Sequence, residues 1–362
     1  MRQLIRHIQL LWHTKLSFRL AALYLLLLLL LVLLLPVLPL PYSPNELDLQ
    51  RTFAPPLQWE HYTPSAPFHW LGTDAIGRDV LANVLYGART AFVISLPVML
   101  LSTVLGLLAG SAAGFYGDRN LKISRAGTVA VFLGMLAVAY YGLYLPLNFS
   151  SLGLPAGYYL SSTGTLLLLL ALFWLLYLWT RRLQLFQATF TFPLDTLVVR
   201  VIEMLSSLPH LLLVLVLASF VPPSVMLLSL IFIFTFWTGQ ARLARAEMLQ
   251  IKKLAYFEAA KNIGLPPWQL LLRHALPNML GPILVAFTFG LAGLLALEST
   301  LSFLGIGVPS TLASWGRTIA GIRSNTSAWW LVAFPGAALA LTVLALQVFS
   351  YHLLHALQGK KR

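Results

Sequence analysis

The sequence predicts an all-α integral membrane protein of about eight transmembrane helices, and three observations carry that prediction. Of the 362 residues, 59% are hydrophobic and only 10% are charged. Apolar runs long enough to cross a bilayer recur along the chain, a pattern no soluble domain of this size needs. The basic residues also crowd into alternate connections between those runs, as topogenic charge does.

The runs lie at about 20–40, 91–116, 126–147, 163–180, 201–220, 225–241, 279–303 and 329–353. Residues 1–41 combine a basic N-terminal segment, holding Arg2, Arg6, Lys15 and Arg19, with the first span. That run is too long for a signal peptide, and Pro-rich sequence follows it where small residues would mark cleavage. It is expected to stay as an anchor. Its stretch 25–35 is almost pure Leu. Lipid-facing Leu is interchangeable, so this span is expected at the periphery, without a site.

Residues 42–90 make a long external segment, Pro-rich at first. Within it Gly72, Thr73 and Asp74 are followed by Gly77, Arg78 and Asp79. The glycines permit tight turns, and Asp74, Arg78 and Asp79 can pair or cap a short interfacial helix. Two readings stay open: these charges hold the segment against the spans, or they touch a solute or a binding protein. His61 and His69 lie in the same segment, but their spacing in a loop is not that of metal ligands, and no metal site is expected.

Residues 91–118 hold Gly106, Gly110 and Gly114 at a spacing of four. One helix face is nearly bare there, so another helix can approach closely; packing is expected, not a ligand site. Residues 119–196 hold two apolar runs joined by the uncharged loop 148–162. They read as an inserted transmembrane hairpin, with re-entry of both runs as the alternative. Trp174, Tyr177 and Trp179 before Arg181 and Arg182 read as an interfacial belt, which favours spanning. Tyr140, Tyr141 and Tyr144 read as belt or packing residues.

Residues 197–356 hold the remaining runs, and 357–362 form a basic tail. Pro209 is expected to kink the span it enters or to free a carbonyl. The segment 250–278 is the main polar interruption of this half. Lys252 to Ile263 has no Gly or Pro and is rich in helix formers. Gly264 is a natural stop, and Pro266 and Pro267 suit the first turn of a second helix. Leu276-Pro277-Asn278 is expected to end that helix before the next run. Ala259 and Ala260 offer a face with little side chain, open to close approach by another surface. Further on, Glu298 is the only acidic residue in the apolar part of any run. Intramembrane carboxylates are expensive and face a cavity or a partner. A place at a pathway or gate, with Ser302 and Phe303, and a structural hydrogen-bond role both stay open.

Lys and Arg number 19 on the side of the termini and 250–278, against 5 on the other. That split puts both termini and the 250–278 segment in the cytoplasm. It also accounts for the net charge of +13, so no nucleic-acid partner is implied. Cysteine is absent, which excludes disulfides, thiolate catalysis and Cys-ligated metals. No GxxxxGK[ST] run occurs, so this chain is not expected to hydrolyse ATP itself.

Several of these stretches resemble one family. Glu258-Ala259-Ala260, then Gly264, then Leu276-Pro277 is similar to the "EAA" loop of ABC importer permeases. Leu71-Gly72-Thr73-Asp74 with Gly77-Arg78-Asp79 resembles the dipeptide/oligopeptide/nickel branch, C-type subunit. Trp237 to Glu247, Leu297 to Gly307, Ser314-Trp315-Gly316 and Pro335-Gly336 complete the likeness, which covers about 70–118 and 197–355. The resemblance implies a six-helix core, with 119–196 as a departure from it. It implies a bacterial inner-membrane subunit paired with a second homologous permease, two ATPases that bind ATP and Mg, and an external solute-binding protein. No cofactor is implied in this chain. Tyr256, Glu258, Ala259, Ala260, Gly264, Leu276 and Pro277 would couple it to the ATPase.

On the resemblance, the solute is a peptide; nickel, another small solute, and export by a repurposed permease are the alternatives. A secondary transporter would need ionisable residues in several spans, and essentially one is present. An intramembrane enzyme would need HExxH, GxSxG or paired aspartates, and none occurs.

Overall fold

The computed structural model describes residues 11–13, 15–57, 68–145, 157–180 and 189–358, and its apolar runs are helical. Arg2, Arg6, His61, Arg181, Arg182, most of the 148–162 loop and most of the basic tail lie outside the described residues. The first helix, α1 (Leu16–Leu34), starts earlier than expected and stops just before Pro36. Proline disfavours helical geometry in the residue before it and cannot extend the ladder. Only Phe18, Ala21 and Val32 of α1 are buried, so its Leu-rich surface faces away from the protein.

The second helix, α2 (Val80–Tyr116), is 37 residues long and begins at Val80 rather than at 91. The external segment therefore ends near residue 79. Tyr86, Gly87 and Arg89 look like loop by polarity but are helical. Asn83 donates back to the Asp79 carbonyl at 3.1 Å, and Gly87 takes the Trp315 ring against its bare backbone.

Residues Tyr116–Leu197 form one compact unit, and the rest of the chain forms another. Within the smaller unit, β1 (Lys122–Ser124) leads into α3 (Arg125–Ala137), which continues as a π-helical stretch, Val138–Tyr144. Then come α4 (Gly157–Thr180) and β2 (Thr189–Thr191). The strands pair antiparallel, Lys122 opposite Thr191, and the Asp118 carboxylate accepts from the Thr196 N–H and hydroxyl at 2.8 and 2.7 Å. The two ends of the insertion are thus tied together. Tyr140 and Tyr144 stack, and both are about half exposed. Trp174 is exposed, whereas the side chains of Tyr177 and Trp179 lie outside what is described.

The helix α5 (Leu194–Ser206), most of which lies in the larger unit, and α6 (His210–Ser219) meet at an 80° bend, the kink expected at Pro209 within the run 201–220. Pro209 lacks an N–H and removes a rung there. The helix α7 (Val225–Ile251) runs well past residue 241, and α8 (Ala255–Asn262) is short. Next comes α9 (Pro267–Phe303), then α10 (Trp315–Ala320) and α11 (Trp330–Gln358). By length and composition, five described helices can cross a membrane, or six if the α5–α6 pair counts as one. The apolar stretches in α3 and α4 are shorter, so the described residues do not reach eight.

The glycine spacing of α2 sets how that helix packs. A Cβ on Gly106 would lie 2.5 Å from Gln240 Cβ, one on Gly110 2.1 Å from the Ala241 carbonyl oxygen, and one on Gly114 2.9 Å from Met248 Cβ. Backbone therefore meets backbone along the α2–α7 seam. The main apolar core lies beside it, with Met99, Phe232, Leu294, Leu295 and Trp315 buried.

Candidate functional sites at the two ends of one long helix

The helix α9 begins beside α8 and ends beside α10. Its 37 residues give it a length of about 55 Å. The expected break at Leu276-Pro277-Asn278 is not there. A π-helical turn, Leu270–Ala275, leads without interruption into the span. Proline inside a regular α-helix clashes with the carbonyl four residues back. The wider turn just before Pro277 makes room for the ring and spares the helix. Asn278 reinforces the junction: its amide donates to the His274 carbonyl at 2.7 Å and to the Tyr256 hydroxyl at 3.0 Å. Leu276 is half-buried and Pro277 exposed.

At this end α8 presents two faces. Phe257 and Ala260 are buried in a cluster with Met248, Ile251, Leu270 and Met279. The expected small face formed by Ala259 and Ala260 together is therefore corrected: a three-residue step keeps Ala260 on the Phe257 side, against the chain's own core. Glu258 and Ala259 are exposed, as are Lys261 and Ile263, the last at 79%. Gly264 sits at φ +86°, with nothing within 4 Å of where a Cβ would be. It ends α8 by conformation rather than by packing. Lys252, a residue without an assigned role in the sequence, donates to the carbonyls of Gly114 and Phe115 at 2.9 and 3.1 Å. It ties the start of this segment to the last turn of α2, where C-terminal carbonyls lack partners.

At the other end, Glu298 is 1% exposed and does not reach an interface. Its Oε1 accepts from the hydroxyls of Ser302 at 2.8 Å and Ser314 at 3.2 Å, and its Oε2 accepts from Ser299 at 3.4 Å. Ser314 precedes α10, so the carboxylate joins α9 to α10. The same junction is tight elsewhere. A Cβ on Gly316 would lie 1.8 Å from the Ser299 carbonyl oxygen, and Trp315 donates its indole N–H to the Val84 carbonyl at 2.8 Å. The run Ser314-Trp315-Gly316 was legible as a motif, but its job as a wedge between α2 and α9 was not.

Arg317 on α10 donates to three loop carbonyls, those of Leu312 at 2.8 Å, Val308 at 2.8 Å and Pro309 at 2.9 Å. Burial, and after it the charge of Arg78, pulls this guanidinium below the usual arginine range, with Glu298 opposing. Ser302 and Phe303 line an open pocket of about 590 Å³ at this end, with Arg317 and Arg323 on its wall. Arg323 was not singled out in the sequence. It stands 4.1 Å over the Phe303 ring, a tertiary contact no local pattern reveals.

The Gly72–Asp79 motif closes the turn that starts α2. Asp79 accepts the Ala82 N–H at 2.8 Å as an N-cap, and its other oxygen lies 2.9 Å from His69 Nδ1. The helix it caps is the long α2, not a short interfacial one. Asp74 accepts the N–H groups of Ile76 and Arg78 at 3.0 and 2.9 Å. The three charges thus do not pair with one another, and Arg78 Nε is buried with no partner among the described residues. Thr73 is fully buried, and its hydroxyl accepts the Ala54 N–H and donates to the Arg51 carbonyl. Gly72 and Gly77 have φ of +81° and +78°, and a Cβ on Gly77 would lie 1.8 Å from the Asp48 carbonyl oxygen. No group of three metal-binding side chains occurs among the described residues.

Comparison with known proteins agrees with the resemblance read from the motifs. Residues 185–362 match the family described as "Binding-protein-dependent transport system inner membrane component". The chain is 27% identical over 305 residues to the dipeptide transport system permease protein DppC of Bacillus subtilis (strain 168), covering 84% of this chain and 72% of that one. It is 25% identical over 300 residues to the oligopeptide transport system permease protein OppC of the same organism, covering 83% and 74%. It is also 24% identical over 309 residues to the probable D,D-dipeptide transport system permease protein DdpC of Escherichia coli (strain K12), covering 85% and 76%.

Proposed function

We propose that this chain, which belongs to the family of binding-protein-dependent inner-membrane transport permeases, is the C-type permease of a peptide importer. As a transmembrane subunit of an ABC importer it forms a solute pathway and depends on separate ATPase subunits. It pairs with a second, homologous permease and receives peptides from an external binding protein. Both termini and α8 lie in the cytoplasm, a placement supported by the 19-to-5 split of basic residues.

The observation that carries the reading is the build of α8. Phe257 and Ala260 anchor it in the core, while Glu258 and Ala259 stay exposed. A helix so anchored moves as one piece with the foot of α9. Docking of the ATPase on the exposed face would then transmit closure of the ATPase dimer along α9 to its far end, opening the pathway in alternation.

The test is uptake by the assembled complex in proteoliposomes, with ATP inside and binding protein and labelled tripeptide outside. ATP-dependent accumulation that needs the binding protein is the expected result. Net loss of peptide from loaded vesicles would instead assign export, and accumulation of nickel without peptide would assign the metal branch.

A further inference from the structure

The pocket at the end of α9 has a one-sided chemistry. Its lining includes Ser302, Phe303, Ser310, Arg317 and Arg323, and no carboxylate. Its cavity volume, about 590 Å³, falls within the range of those that hold small solutes, roughly 300–1,000 Å³. We propose that this pocket receives the carboxylate of the peptide, bound by Arg323 with Arg317 behind it. This assignment rests on the peptide-permease reading and adds a residue-level contact to it.

Topogenic charge does not explain these two arginines. They belong to the sparse set of 5 basic residues, on the side that topology leaves poor in positive charge. Arg317 has a structural reason to be there, because its guanidinium ties down three loop carbonyls. Arg323 has no such reason. Among the described residues its guanidinium makes no hydrogen bond and no ion pair; it rests on the Phe303 ring. An aromatic face steadies a cation without using its N–H donors. The fork of donors remains free, and that fork matches a carboxylate in two parallel bonds. Glu298 does not compete for it. Its carboxylate is 1% exposed and is held by serine hydroxyls, one of them from Ser302 in the pocket wall.

The absence of cysteine from this chain permits a direct test. Arg323→Cys is introduced into the complete transporter, and uptake of trialanine is measured before and after thiol modification. A cationic aminoethyl thiosulfonate restores positive charge at this position; a sulfonatoethyl reagent adds negative charge. The unsubstituted complex, treated alike, controls for thiols elsewhere in the assembly. Loss of a charge-assisted contact should cut trialanine uptake about tenfold at limiting peptide. The cationic reagent should restore most of it, and the anionic reagent none. Arg323→Lys should keep part of the activity, because it retains charge but not the fork. Unchanged uptake by Arg323→Cys, or equal effects of the two reagents, overturns the carboxylate site. An unsubstituted complex that never carries trialanine overturns the peptide reading itself, and that failure is seen before any variant is compared.

Discussion

The two ends of α9 treat polar residues in opposite ways. At the Glu298 end the carboxylate is sealed in, and three hydroxyls from the same chain satisfy it. At the α8 end Glu258 points outward, Ala259 beside it is bare, and Ile263 is 79% exposed. A buried, satisfied carboxylate braces the chain that holds it, because losing its partners would leave a costly unpaired group. An exposed acid beside small and apolar residues, on a helix anchored from behind, leaves the fold that holds it unaffected and is the face on which the proposed docking relies. The same residue type is thus sealed in and satisfied at one end and left exposed at the other.

The sharpest way to test that contrast is with glycines. At Gly316 any Cβ meets the Ser299 carbonyl oxygen, whereas at Gly264 space is free and only the positive φ resists a side chain. Gly316→Val should destabilise the chain by about 3 kcal/mol or more through overpacking, seen as aggregation of the detergent-purified protein. Gly264→Val should cost only about 1–2 kcal/mol and leave a monodisperse protein. Equal behaviour of the two variants would erase the distinction between packing and conformation.

The paired alanines sharpen the contrast within α8. Ala260→Trp drives a ring into the Phe257–Met279 cluster and should lower thermal stability by about 1–3 kcal/mol. Ala259→Trp should leave the melting temperature alone and weaken ATPase co-purification instead. If Ala260→Trp melts like the unsubstituted chain, the burial of that face is wrong.

Glu298→Gln has a smaller effect in view. The amide keeps one acceptor, and the serine hydroxyls can turn to meet its N–H groups. A loss of about 1 kcal/mol in stability is expected, with peptide uptake nearly unchanged. Abolished uptake at full stability would return Glu298 to the pathway. The mildest change expected is removal of the inserted unit. The Asp118–Thr196 bonds and the β1–β2 pair already bring its ends together. A variant joining Gly117 to Asp195 should still insert and co-purify with the second permease. Loss of that partner would place the insertion in the core assembly.

What the sequence disclosed and what it hid divide along physical lines. Local rules were legible: the four-residue glycine spacing predicted close packing, and Gly264 before Pro266-Pro267 predicted the sharp turn. The helix start at Val80 was hidden because residues up to 90 read as part of the external segment, although a helix satisfies its own backbone whatever polar side chains it carries. The continuity of α9 through Pro277 was hidden because a π-helical turn, which sequence does not announce, removes the clash. The facing of Ala260 was recoverable from its three-residue step to Phe257. The partners of Glu298 on α10 and the stacking of Arg323 on Phe303 are tertiary, so no spacing rule reaches them.

The central claim is that the exposed face of α8 is where ATP hydrolysis is coupled to this chain. Its most direct test is transport-coupled ATPase activity of the reconstituted complex carrying Glu258→Lys together with Ala259→Trp. Neither residue supports the fold, so the variant should insert, pair with the second permease and melt like the unsubstituted protein. Binding-protein-stimulated ATP hydrolysis and peptide uptake should both fall at least tenfold, with the ATPase recovered in reduced amount. Full stimulation with normal ATPase recovery would show that α8 is only a connector between spans.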